Sequence, residues 1–239
     1  MELVKVEFDK VNKKSLLSIA ALSGVPAVII AIKIINNLGL GKGEDTALEI
    51  LAFSSSLYLG MILPALMTYI AVTVTKVENE NSGWKQLMLL PIKKTDIYLT
   101  KYKVIILTLL LSIIGFVIAD TIGTILITGD IRINLELIMF GLIIFITALP
   151  MIVLLFIIGR NFVSIIPVVA VGVGMLITTT FIVQSKYWIF APWTYGMAIV
   201  GGEITNKMRA LAIIISLILT IGMFITDYTI FKRSDIKEK

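Results

Sequence analysis

The chain has 239 residues, 58% of them hydrophobic and 15% charged, and its mean hydropathy is +0.99. Composition this apolar excludes an ordinary water-soluble domain, which must cover its own surface with polar groups. With no Cys and no His, disulfides, thiol nucleophiles, imidazole bases and the commonest transition-metal ligands are excluded too. The net charge of +5 comes from basic residues beside apolar runs, not from an independent basic domain of the kind that binds nucleic acid.

Residues 1–14 alternate charges with Val4, Phe8 and Val11 at i, i+4, i+7, which suits an amphipathic helix lying at the membrane interface; Val4, Val6 and Phe8 also fit a short strand. Six apolar runs follow, at 15–35, 50–75, 102–127, 135–158, 163–183 and 210–231. Each is close to the roughly 20 helical residues that cross a hydrocarbon core of about 30 Å. The first lacks the small-residue cleavage pattern of a signal peptide and is expected to be retained. The expected fold is therefore an all-α membrane protein with six transmembrane helices in one domain, 1–239.

Lys and Arg set the expected orientation, because short cytoplasmic loops are enriched in them. Lys5, Lys10, Lys13, Lys14, Lys76, Lys85, Lys93, Lys94, Lys101, Lys103, Arg160, Lys232, Arg233, Lys237 and Lys239 fall on one side. Lys33, Lys42, Arg132, Lys186, Lys207 and Arg209 fall on the other. Both termini and the charged loop 76–101 are accordingly expected in the cytoplasm. The opposite loop, 184–209, holds Tyr187, Trp188, Phe190, Trp193 and Tyr195 and is broken by Pro192 and Gly201-Gly202. It is too short and interrupted to span, which predicts an interfacial or re-entrant pair of short helices.

Within the spans, Ser56, Gly60, Pro64 and Thr68 line one stripe, Gly115, Ala119 and Gly123 a second, and Ala170, Gly174 and Thr178 a third. Small residues let membrane helices approach closely, so each stripe fits contacts inside one bundle, a dimer seam or a substrate path, the first being favoured. Asp120 is the acidic residue deepest in a span; it suits either contact with a cationic substrate or satisfaction by interfacial water, Arg132 or Arg209. Asp227, nearer a span end, is expected to be satisfied by Lys232 or the interface. Pro26, Pro64, Pro150 and Pro167 are expected bending points.

The loop 76–101 carries the most information. Trp84, Leu87, Met88 and Pro91 share a face at i, i+3, i+4, i+7, with Ser82 as N-cap and Pro91 as stop, which predicts a short helix presented to the cytoplasm. With no domain of this chain expected to cover Trp84, the helix should dock on a partner or rest on lipid.

The string from Glu78 through Gly83-Trp84 and Leu90-Pro91 to Asp96, Tyr98 and Lys101 resembles the loop between the second and third spans of type-2 ABC exporter permeases. More narrowly, the chain resembles the permeases with which bacteria protect themselves against lantibiotics and related peptide antibiotics. The resemblance implies that this loop forms the coupling helix seated in a groove of an ATPase subunit, with Glu78, Gly83, Trp84, Lys85, Leu87, Leu90 and Pro91 as coupling residues. It also implies two ATPase copies carrying ATP and Mg, no cofactor in this chain, a second permease as homo- or heterodimer partner, surrounding membrane lipids and no nucleic acid. The setting would be the cytoplasmic membrane of a Gram-positive bacterium. Asp120, Trp188 and Trp193 are the candidate substrate path for a bacteriocin-type peptide, although a lipid, a drug or another peptide would fit the same fold.

No G-x-x-x-x-G-K-[ST] phosphate-binding loop occurs, and the Gly-Lys cluster at 39–43 has the wrong spacing, so ATP hydrolysis is expected on a separate chain. An intramembrane enzyme would need paired catalytic groups at membrane depth, which a chain with no His, no Cys and one deep carboxylate does not provide. A non-transporting membrane partner protein remains the alternative from a different class.

Overall fold

The computed structural model describes residues 13–36, 44–79, 83–89, 91–128, 135–201 and 204–233, and these contain helices and turns but no strand. The expected interfacial helix at 1–14 lies almost wholly outside the described residues. In chain order the helices are α1 Lys13–Asn36, α2 Glu44–Leu57, α3 Leu63–Asn79, α4 Gly83–Leu89, α5 Lys94–Thr128, α6 Leu135–Asn161, α7 Ile166–Val183, α8 Tyr195–Gly201 and α9 Asn206–Arg233.

Among the described residues, five helices are long and apolar enough to cross a bilayer: Ile50–Asn79, Lys94–Thr128, Leu137–Asn161, Ile166–Val183 and Asn206–Arg233. The first of the six expected crossings corresponds to α1, whose described apolar stretch, Ser18–Ile32, is shorter. We call the end of the bundle where α3 ends, α4 lies, α5 begins and α6 and α9 end the lower end; α7 rises from it to the upper end.

Three boundaries differ from expectation in ways that matter. The third crossing begins at Lys94 rather than 102, and the second continues to Asn79, so much of the charged loop is helical extension. Lys101 tolerates a helical, buried place because it is neutralised there, which no hydropathy reading registers. The fifth crossing starts at Ile166 with Pro167 in its first turn, where the missing N–H costs nothing. Pro167 therefore starts a helix instead of bending one.

Pro64 does distort its helix. The ring would press on the carbonyl of Gly60 and offers it no N–H; the chain responds with a π turn, Tyr58–Ile62, closed by the Leu63 N–H on the Tyr58 carbonyl. The widened turn joins α2 to α3, and Tyr58 stacks on Phe116 of α5 at 4.2 Å while its hydroxyl bonds Ser112 at 2.8 Å.

Helices α3, α5 and α6 form the centre, with Ile70, Val74, Ile105, Leu109, Ile152, Leu155 and Phe156 among the buried residues. The stripe on α5 is internal: a Cβ on Gly115 would meet Ser23 and Ala20 of α1, and one on Gly123 would touch Ala27 and Ala31. Thr68 of α3 is likewise internal, set against Gly172 of α7 so closely that a Cβ on Gly172 would overlap its hydroxyl. Ala170 and Gly174, by contrast, are exposed on the far side of α7, and nothing lies within 4 Å of a Cβ on Gly174.

This asymmetry is testable. Gly172→Val is expected to destabilise the detergent-solubilised protein by about 1–3 kcal/mol through overpacking on Thr68, read as a lowered Tm, whereas Gly174→Val leaves Tm unchanged.

Candidate functional site

The lower end gathers charged and aromatic side chains from five helices. Glu78, one residue before the end of α3, faces Lys101, two turns into α5, with Nζ to Oε2 at 2.8 Å and side-chain exposures of 2% and 1%. Lys101 Nζ also lies 3.4 Å from the Val74 carbonyl and 5.5 Å from the centroid of the Trp84 ring. The ammonium is thus surrounded by a carboxylate, a carbonyl and a π face, the partners that offset the cost of burying a cation.

Trp84 belongs to α4, and its ring is held from several sides. It packs edge-on against Phe231 of α9 at 6.0 Å, and its Nε1 donates to Asn79 Oδ1 at 2.8 Å. The Asn79 amide in turn donates through Nδ2 to the carbonyls of Gly159 and Phe162, at 2.7 and 2.9 Å. Those carbonyls belong to the C-terminal turn of α6 and the residue beyond it, groups a helix cannot satisfy by itself. Gly83 closes the corner: a Cβ there would come within 2.8 Å of Glu78 Cα and 3.1 Å of the Val77 and Glu78 carbonyls, so only glycine lets α4 lie this close to α3.

A second charged pair braces the neighbouring helices. Arg160 of α6 donates to Asp227 of α9, Tyr98 of α5 donates to the other Asp227 oxygen at 2.8 Å, and the Arg160 guanidinium lies over the Phe231 ring at 5.4 Å. Around Tyr98 the rings of Tyr102, Phe156, Phe224, Tyr228 and Phe231 sit at centroid distances of 5.2 to 6.0 Å. Asp227 therefore finds Arg160 and Tyr98, not Lys232 or the interface, because α6 and α9 run side by side here.

Of the residues expected to carry coupling, Glu78, Gly83 and Trp84 converge on this network. Leu87 is half-buried on α4 and Pro91 is exposed, while Leu90, Ser82 and the side chains of Lys85 and Met88 lie outside the described residues. The expectation that nothing in this chain covers Trp84 is corrected: the extended start of α5 brings Lys101, and the last turn of α9 brings Phe231, onto its ring. The sequence pattern pairs none of Asn79, Tyr98, Lys101 and Arg160, and it offers Asp227 Lys232 in place of Arg160. The available signal was the cost of a charge at the edge of an apolar run, which flags Arg160 and Asp227 without naming the pair.

At the upper end, Asp120 is 2% exposed and accepts a hydrogen bond from Ser54 of α2, so neither Arg132 nor Arg209 is needed to explain it. Residues 184–201 form the turns Trp188–Phe190 and Pro192–Thr194 and then α8, whose Tyr195 and Ile199 are buried. Trp193 Nε1 donates to Thr178 at 3.2 Å, and Trp188 meets Tyr195 edge-on at 5.8 Å. Beside them a groove of about 530 Å³ opens between α2, the π turn and α7, lined by Phe53, Leu57, Gly60, Met61, Ile177 and Phe181 among others. A second recess of about 360 Å³ shares Ser56 and Met197 with it and continues to Gln184 and Trp188. Asp120 lines neither; Trp193 lines a narrow crevice on the other side of Met197, with Leu63, Pro64 and Met151.

The sequence profile described as ABC-2 family transporter protein matches residues 3–178. The chain belongs to the ABC-2 transporter family. Membership makes it a multi-pass membrane subunit of an ABC transporter, a system that works with an ATPase partner. Among curated proteins none matches the sequence.

The buried pair of this ABC-2 subunit yields a prediction. Lys101→Met or Glu78→Gln alone is expected to cost about 3–5 kcal/mol, because each leaves an uncompensated buried charge. The double variant is expected to recover most of that loss in a thermal-denaturation cycle, whereas additive losses would show that the two side chains act independently.

Proposed function

We propose that the chain is the permease half of an exporter that removes an amphipathic peptide of the lantibiotic or bacteriocin type from the membrane and expels it outward. In this reading α1 completes six crossings, the lower end and both termini face the cytoplasm, and two ATPase subunits push on α4 in a pair of permeases. The partner permease is a second copy or a paralogue.

The observation that carries the cargo assignment is the groove between α2 and α7. It is walled by apolar side chains, several of them exposed (Phe53, Met61, Ile177 and Phe181), and the neighbouring recess that shares Ser56 and Met197 with it reaches Gln184 and Trp188 at the upper end. A molecule with an apolar face and a polar end fits such a path, entering sideways from the bilayer and meeting polar groups near the surface. The resemblance to self-protection permeases favours a peptide over a lipid or drug. Asp120, held by Ser54 inside the bundle, is assigned a packing role and not substrate contact.

Two measurements test this reading. Purified in mild detergent with Mg-ATP, the chain is expected to retain an ATPase subunit, and Gln86→Arg, on the exposed side of α4, to lose it while the permease still elutes as the wild type; a wild-type chain recovered without an ATPase counts against the exporter. Gly60 has room for a Cβ, the nearest atom being Met197 Sδ at 3.7 Å. Gly60→Leu should therefore fill the groove and abolish most cellular protection against a cationic amphipathic peptide with the ATPase still bound, and unchanged protection would remove the groove from the path.

A further inference from the structure

We propose that Asn79 is the positioning residue through which displacement of α4 reaches the corner between α6 and α7. The proposal rests on the reading of α4 as the ATPase-contacting helix and adds the route by which its motion enters the bundle.

The Asn79 amide has one acceptor oxygen and two donor hydrogens, and all three are engaged by different elements. The oxygen takes the Trp84 Nε1 hydrogen from α4, and the nitrogen gives its hydrogens to the Gly159 and Phe162 carbonyls. Trp84 is also held by its edge-on contact with Phe231 and by the Lys101 ammonium over its ring, contacts whose angular preference is broader than that of a hydrogen bond. The amide is planar and short, so a tilt of the indole must rotate the amide or break the bond, and either result changes the support of the two carbonyls. Beyond Phe162 the chain turns immediately into α7, which forms one wall of the groove. Asn79 therefore stands between the helix that receives force and the helix that borders the cargo path.

The two sides of this link can be cut separately. Asn79→Asp keeps the shape and the acceptor for Trp84 but sets a carboxylate oxygen against two carbonyls, which severs the α6–α7 side. Trp84→Phe keeps a ring against Phe231 and Lys101 but removes the Nε1 hydrogen, which severs the α4 side. Because the natural chain has no Cys, Val163→Cys supplies a single reporter at the corner, where the side chain is 68% exposed.

The experiment measures maleimide labelling of that cysteine in the detergent-purified complex, nucleotide-free and trapped with Mg-ATP and vanadate, alongside the amount of ATPase bound and its hydrolysis rate. Trapping is expected to change the labelling rate several-fold with Asn79 and Trp84 intact. Each cut should at least halve that change, with bound ATPase and hydrolysis unchanged in Asn79→Asp. A full response in both cut variants, or none with Asn79 and Trp84 intact, overturns the relay and leaves the exporter reading standing. Loss of ATPase binding in Asn79→Asp makes Asn79 a support for the docking surface and also overturns the relay. If no ATPase accompanies the chain that retains Asn79 and Trp84, the exporter reading itself fails and the relay falls with it.

Discussion

The ion pair between Glu78 and Lys101 is the constraint on which the lower end depends. Both side chains are almost wholly buried, and an isolated charge in such a place would cost several kcal/mol. Neither can leave without stranding the other. The pair therefore fixes the last turn of α3 against α5, and with that distance set Gly83 can bring α4 down on the Glu78 backbone and Trp84 can lie across the ammonium. Arg160, Asp227 and Tyr98 do the same for α6, α9 and α5, and the Phe231 ring touches both groups, through Trp84 on one side and Arg160 on the other.

Why an ABC-2 subunit should place such costly groups here follows from what membrane packing lacks. Apolar faces gain little from meeting each other when lipid is equally apolar, so close backbone approach and polar contacts must supply specificity. The centre of the bundle uses close approach, Gly115 against α1 and Gly172 against Thr68. The lower end uses charges and amide hydrogens instead. These are directional and have discrete alternatives, which suits a region that must hold one arrangement firmly and still be able to pass to another.

Much of this architecture was legible in the chain. Long apolar runs and the Pro91 boundary located most of the helices, because hydropathy and proline chemistry are local properties. The short helix at Gly83–Leu89 followed from the spacing of Trp84 and Leu87. Its environment did not, since the burial of Trp84 depends on how far α5 and α9 extend beyond the apolar core. The pairings were illegible for the same reason: Glu78 and Lys101 are 23 positions apart and Arg160 and Asp227 are 67 apart, and nothing in a single sequence selects one partner among many. The π turn at Tyr58–Ile62 lay between these cases, announced by Pro64 as a distortion but not as a widening.

That turn connects the two halves of the molecule. Helix α3 carries Glu78 and Asn79 at its lower end, and at its upper end it passes through Leu63 into the π turn, whose Gly60 and Met61 line the groove. A π turn has wider hydrogen-bond rings than the helices that flank it and is an easier place to bend. On the exporter reading, a push at α4 then meets a rigid lower end, travels along α3 as a lever, and is taken up where the helix is already distorted, beside the cavity. The corner at Phe162 offers a second path, through α7, to the opposite wall of that cavity. Two walls driven from one end, one along α3 from the Glu78–Lys101 pair and one through the Asn79 amide, would change the groove's width while α5 and α6 stay packed together.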